Sequence, residues 1–204
     1  MSQRRSWILL GIAGVLAASL GVWIAHELDS SKVALASGTW LPRPREVGSL
    51  ALVDQAGKPF TEDHLRGKPS LVFFGFTHCP DVCPTTLAQL AQVKKAAAIP
   101  DLRVLLVSVD PARDTPEALS QYVHAFDPEF IGLTGSDAAI SKLTKAFGVA
   151  VAKVDLPGGN YVVDHSAAVF LLDDSGRIVA VFTPPFNTRT FAEDLKRVAS
   201  HLHV

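Results

Sequence analysis

Two stretches of this chain, Ser70 to Phe76 (SLVFFGF) and Arg103 to Val109 (RVLLVSV), are apolar at nearly every position. A strand with one wet face alternates apolar and polar residues, whereas an unbroken apolar run is a strand buried on both faces inside a sheet. Such strands need helices to cover them, and a helix signal follows each. From about Cys83 to Ala98, Pro84 suits a first turn, and Leu87, Leu90, Ala91 and Lys94 recur at helical spacing. From Thr115 to Phe126 the opening Thr-Pro-Glu is a helix start with proline in the first turn. Ile140, Leu143, Thr144 and Phe147 form a further helical face, stopped by Gly148.

The remaining signals complete a pattern. Leu50 to Val53 reads as a strand followed by the turn Asp54-Gln55-Ala56-Gly57. Ala150 to Val154 and Tyr161 to Val163 flank Pro157-Gly158-Gly159-Asn160 as a hairpin. Ala167 to Leu172 and Ile178 to Phe182 flank Asp173-Asp174-Ser175-Gly176 as a second, and Thr188 to His201 closes the chain as a helix. Strand, cysteine loop, helix, strand, helix, hairpin and final helix is the thioredoxin-like order. The expected class is α/β, a mixed sheet flanked by helices.

The N-terminal region has a different character. Trp7 to Ala25 (WILLGIAGVLAASLGVWIA) carries no charge and is long enough to cross a bilayer as a helix. Arg4 and Arg5 precede it, which orients the N-terminus toward the cytoplasm. A cleaved signal peptide is the competing reading, but the run exceeds the usual signal core. The expectation is a single N-terminal transmembrane helix over 1–26, a tether over 27–46 and a folded domain over 47–204. Pro42 and Pro44 argue against helix in the tether. A net charge of −1 and a pI near 6.6 leave no electrostatic footprint for nucleic acid.

Either membrane reading sends the domain into an oxidising compartment. There the chain's only two cysteines, Cys79 and Cys83, are a disulfide, a metal site or a redox couple. Cys83 falls at a helix start, where free N–H groups and the helix dipole favour a thiolate. A structural disulfide would close a very small loop and so remove little unfolded-state entropy. Structural zinc wants four ligands, which are not at hand. Soft thiolates select Cu(I), for which two thiolates and one imidazole suffice. Of the seven histidines, His26, His64, His124, His201 and His203 read as solvated, and His78 as a loop residue beside Cys79. His165 stands immediately before a buried strand, a junction that the thioredoxin topology lays against the cysteine loop. Asp164-His165 occupies the place where thioredoxins carry a cis-proline.

The segments FTHCPDVCPTTL, VSVDPARDTPEAL, FIGLTG and VDHSAAVFLLDDSG together resemble the Sco/SenC family of copper-delivery proteins. The resemblance runs from about Gly57 to Phe182. It implies copper, Cu(I) or Cu(II), bound through Cys79, Cys83 and His165, with Cys79 and Cys83 able to form a redox-active disulfide. Asp110 and Asp164 are candidates to tune the site from behind the ligands, with loop capping as the plainer role. The implied task is assembly of the dinuclear copper A centre in subunit II of cytochrome c oxidase. The implied location is a bacterial inner membrane with the domain in the periplasm, or an equivalent outward-facing compartment. That reading makes the protein a metallochaperone rather than a turnover enzyme. A thiol–disulfide oxidoreductase reducing the copper A cysteines, and a copper or redox sensor, are the alternatives. A peroxiredoxin-like peroxidase would want Thr-x-x-Cys, which neither cysteine has.

Overall fold

The structure is a computed structural model that describes residues 14, 16–23 and 33–202. Two compact units divide the chain, 1–34 and 35–204. In the first, residues 16–23 are helical and exposed. Most of the apolar run Trp7 to Ala25 lies outside the described residues. Among the described residues no helix is long and apolar enough to cross a membrane.

The second unit is built on an eight-stranded mixed sheet. Its strands are β1 (Gly38–Glu46), β2 (Leu52–Asp54), β3 (Pro59–Phe60), β4 (Ser70–Gly75), β5 (Arg103–Ser108), β6 (Ile131–Gly135), β9 (Val169–Leu172) and β10 (Arg177–Phe182). Their order is β1-β10-β9-β4-β5-β6-β2-β3. β7 (Val151–Asp155) and β8 (Tyr161–His165) form a separate two-stranded sheet. Among the described residues of this unit the α-helices are α1 (Val82–Ala97), α2 (Pro116–His124), α3 (Asp137–Phe147) and α4 (Thr188–Val198).

The two apolar runs are the centre of the sheet, as their composition requires. β4 is buried at every position and pairs in parallel with β5, Phe73 opposite Leu106 and Gly75 opposite Ser108. Phe73 and Phe74 are fully enclosed, each such side chain contributing roughly 1.5–3 kcal/mol of burial free energy. α1 turns Leu87, Leu90 and Val93 to the core. Thr115 and Ser136 start α2 and α3 as N-caps, their side chains accepting from the N–H groups of Ala118 and Ala139.

Two elements depart from the sequence expectation. The folded unit begins at Leu35, and the second half of the stretch assigned as a tether, 27–46, is β1, while residues 27–32 lie outside the described residues. Pro42 and Pro44 are tolerated because β1 is an edge strand whose register against β10 shifts between Trp40 and Arg45. Its start is clasped by the buried carboxylate of Asp194 in α4, which accepts from Ala36 N (2.9 Å), Ser37 N (2.7 Å) and Ser37 Oγ (2.7 Å). β6 also escaped the strand signals, because two of its five residues are glycine. Gly132 is there for contact: a Cβ on it would stand 2.9 Å from Leu119 Cβ of α2.

Candidate metal centre

The site is assembled where β4 ends. The chain leaves the buried strand at Gly75, runs through Phe76, Thr77 and His78 to Cys79, and enters α1 with Cys83 as its second residue. Cys79 is half-buried and Cys83 buried, and both are free thiols. The Cys83 N–H donates to Cys79 Sγ at 3.4 Å, so the first turn of the helix itself holds the two sulfurs close.

His165 comes from the end of β8. Its Nε2 lies 3.3 Å from Cys83 Sγ, and its Nδ1 lies 3.2 Å from the carbonyl oxygen of Ser166. A carbonyl only accepts, so Nδ1 carries the hydrogen and Nε2 turns its lone pair toward the sulfurs. The donor atoms of Cys79, Cys83 and His165 all lie within 4.8 Å of one another. The rings of Phe73 and Phe76 stand edge-on to the imidazole at 6.0 and 5.9 Å and fix its plane. Among the described residues this is the one group of three or more histidine, cysteine and acidic ligands so arranged.

Burial governs the protons. It holds the His165 imidazole below its ordinary range, with the Ser166 carbonyl and the Asp164 charge opposing, so the ring is neutral at neutral pH. It pushes the Cys83 thiol far up, helped by the neighbouring Cys79. The expectation that a helix start would favour a Cys83 thiolate is therefore overturned. A helix dipole contributes at most about 2 kcal/mol, and removing an unpaired anion from water costs several kcal/mol. Without a cation at the site Cys83 stays a thiol, its S–H directed at His165 Nε2.

Gly75 is the residue that lets the buried sulfur sit where it does. A Cβ there would meet Cys83 Sγ and Phe73 Cε1 at 3.0 Å and Leu106 Cδ1 at 3.2 Å. Gly75→Ala should lower the unfolding free energy by about 1–3 kcal/mol, the usual cost of overpacking. A urea midpoint equal to that of the parent protein would contradict this packing.

The two aspartates named from the sequence have different fates. Asp110 is buried and bonded, accepting from Arg113 Nε and from Tyr161 Oη. Asp164 is exposed on β8 opposite Ala152 and touches the site only through its charge. Sequence reasoning missed Asp114. This fully buried carboxylate accepts from Thr77 N (3.2 Å), Thr77 Oγ1 (2.7 Å) and Ser108 Oγ (2.6 Å), tying the root of the cysteine loop to the β5–α2 loop. The spacing Asp110-x-x-x-Asp114 was visible, but nothing in it said that both carboxylates are buried or that Asp114 is the one bonded to Thr77. His64 and His78 stay away from the sulfurs, bonded to Thr61 and Thr77.

These features define a class: a thioredoxin-like domain that gathers two sulfurs and one imidazole nitrogen, donors able to hold a soft metal ion, at the strand-to-helix junction after β4. Comparison with known proteins narrows it. The SCO1/SenC family model matches residues 41–200, and the chain belongs to that family. It is 39% identical over 153 residues to the SCO2-like protein of Rickettsia prowazekii, covering 73% of this chain and 75% of that one. Among solved structures it is similar to Bradyrhizobium japonicum ScoI with copper bound, at 42% identity and a TM-score of 0.68 over 74% of this chain and 97% of that chain. It is also similar to BsSco, described as a disulfide-switch member of the Sco family of cytochrome c oxidase assembly proteins. There the identity is 26% and the TM-score 0.61, over 77% of this chain and 95% of that one.

Proposed function

We propose that this protein is a copper metallochaperone whose cargo is one copper ion held by Cys79, Cys83 and His165. The observation that carries the reading is the meeting of two sulfurs and one imidazole nitrogen within 4.8 Å. Thiolates are soft donors and select Cu(I), which accepts three or even two ligands. Three donors are too few for a structural zinc centre, and a low coordination number leaves room for an incoming ligand from a recipient. The copper-bound relative fits the same cargo. Cytochrome c oxidase assembly, the role attached to BsSco, makes subunit II with its copper A centre the recipient in this reading. The uncharged run Trp7 to Ala25, with Arg4 and Arg5 before it, makes the protein a single-pass membrane protein with a cytoplasmic N-terminus and an outward-facing domain, periplasmic in a bacterium.

A second reading has its own observation. Cys79 is only half-buried and both cysteines are free thiols, so the pair can also act in thiol–disulfide exchange. Reducing a recipient's cysteines before metal enters would use the same two sulfurs.

Copper titration across pH tests the first reading. The reduced protein should take up one Cu(I) per chain. Cys83 is protonated throughout the neutral range and must lose that proton to become a ligand. His165 is neutral there and releases none. The affinity should therefore rise by at least about tenfold per pH unit through the neutral range, the slope set by one displaced proton. A flat profile would remove Cys83 from the ligand set.

A further inference from the structure

We propose that Arg113 and Tyr161 are positioning residues for His165, forming with Asp110 a latch that holds the β7–β8 hairpin so that the imidazole stays on the sulfur pair. The inference rests on the reading of Cys79, Cys83 and His165 as one copper site.

The need for a latch follows from the topology. β8 carries His165, yet the β7–β8 ladder is separate from the eight-stranded sheet. β7 is exposed along its whole length. A two-stranded hairpin alone is marginally stable in water at best. Something else must keep Nε2 of His165 at 3.3 Å from Cys83 Sγ.

Beside the rings of Phe73 and Phe76 at His165 itself, the contacts that tie the hairpin to the β5–α2 loop lie at the far end of β8. The Arg113 guanidinium lies over the Tyr161 ring, with Cζ 3.7 Å from its centroid, and donates from Nη1 to the Tyr161 carbonyl oxygen at 3.1 Å. Tyr161 Oη donates to Asp110 Oδ1 at 2.8 Å, and Arg113 Nε donates to Asp110 Oδ2 at 2.5 Å. The three side chains thus close a ring of contacts between the β5–α2 loop and the hairpin. Asp110 is itself held by its N–H donating to Ser108 Oγ at 3.0 Å. Arg113 Nη2 is buried with no hydrogen-bond partner. An unsatisfied buried donor is costly, so the guanidinium's place is set by its bonds to Asp110 and Tyr161 and by the two aromatic faces together.

The link to the ligand is the pleat. Tyr161, Val163 and His165 alternate onto one face of β8. Val163 is buried midway, so that face is turned to the domain. Phe76, at the entrance to the cysteine loop, is shared by both ends: Arg113 Cζ lies 5.8 Å from its ring and the His165 ring 5.9 Å. Fixing Tyr161 therefore fixes a strand that ends, about 13 Å further on, at the metal-binding nitrogen. Losing the latch leaves the ligand chemically intact but no longer held in place.

A double-mutant cycle on the reduced protein tests this, with Cu(I) affinity as the readout. Arg113→Ala should weaken Cu(I) about tenfold, the scale typical of removing a group that orients a metal-bound imidazole. Tyr161→Phe, nearly the same shape, should weaken it in the same direction but less. In a His165→Ala background both should have no further effect, because they act only through the imidazole. X-ray absorption of the Cu(I) form of Arg113→Ala should show reduced nitrogen scattering with the sulfur contribution kept. A loss of equal size with and without His165, or no loss at all, would overturn the latch. A second arm needs no metal: amide exchange in the hairpin should speed up in both variants while β4 and β5 stay protected. Unchanged hairpin exchange rejects the latch, whereas a parent protein that takes up no Cu(I) rejects the site reading and leaves this arm to decide the latch alone. Should Arg113→Ala fail to fold, Tyr161→Phe carries both arms.

Discussion

Oxidising Cys79 and Cys83 to a disulfide should reduce Cu(I) binding to background, and Cys83→Ser should do nearly the same. Two thiols lose two protons and two electrons to an added disulfide such as oxidised glutathione, and a sulfur–sulfur bond replaces both thiolates. A disulfide sulfur carries no charge and is a poor ligand for a soft cation. His165 alone cannot hold the metal. In Cys83→Ser a hard hydroxyl replaces the buried sulfur, and Cys79 keeps its place in the loop. Serine is smaller and can donate to His165 Nε2 in turn, so the fold should survive the change. Melting temperature and Cu(I) uptake measured side by side separate loss of site from loss of fold. An oxidised protein that takes up one Cu(I) as tightly as the reduced one would sink the thiolate assignment. The same chemistry makes the redox state of the pair a gate on loading, a consequence that any metal reading of these two cysteines must accept.

How much of this was legible beforehand depends on the kind of signal. Cys79, Cys83 and the buried runs that become β4 and β5 were plain, because composition alone sets them. His165 could be selected from seven histidines only through topology: β8 ends at His165 a short turn before β9, and β9 is the neighbour of β4 in the sheet, which brings the imidazole beside the end of β4. What stayed hidden depends on contacts distant in sequence. Residues 38–46 look like a linker until Asp194 clasps Ser37 and β10 offers an edge. Arg113 and Asp114 are adjacent and both polar, yet one turns to Tyr161 and the other to Thr77. The protonation of Cys83 went the other way from its local cue, because a helix start is a local feature and burial is a global one. Local patterns thus carried most elements and the two cysteines, topology singled out His165, and only packing showed which polar groups stand behind them.

His165→Ala is the substitution that should divide metal carriage from thiol chemistry. The imidazole is neutral, its Nδ1–H is anchored on the Ser166 carbonyl, and its Nε2 already faces Cys83 Sγ at 3.3 Å. Removing it takes one of three donors and leaves both thiols. Cu(I) affinity should fall by more than the ~10–100-fold that loss of an imidazole's supporting partner typically costs. Disulfide exchange with a dithiol substrate should persist, because electrons and protons pass through Cys79 and Cys83 alone. The void left against Phe73 and Phe76 will cost some stability, so His165→Gln, which keeps much of the volume, accompanies it as a control for packing. Cys83→Ser is the matched opposite: it breaks the pair and damages both activities under either reading. Assembly of the copper A centre in cells then becomes the deciding measurement. Loss of assembly in His165→Ala with exchange intact means that the imidazole is needed for cargo and that the chain delivers metal. Normal assembly and unchanged Cu(I) affinity in the same variant would take His165 out of the site and make the oxidoreductase reading the better one. The two outcomes differ because only metal carriage requires a third ligand, whereas exchange requires nothing beyond the two sulfurs.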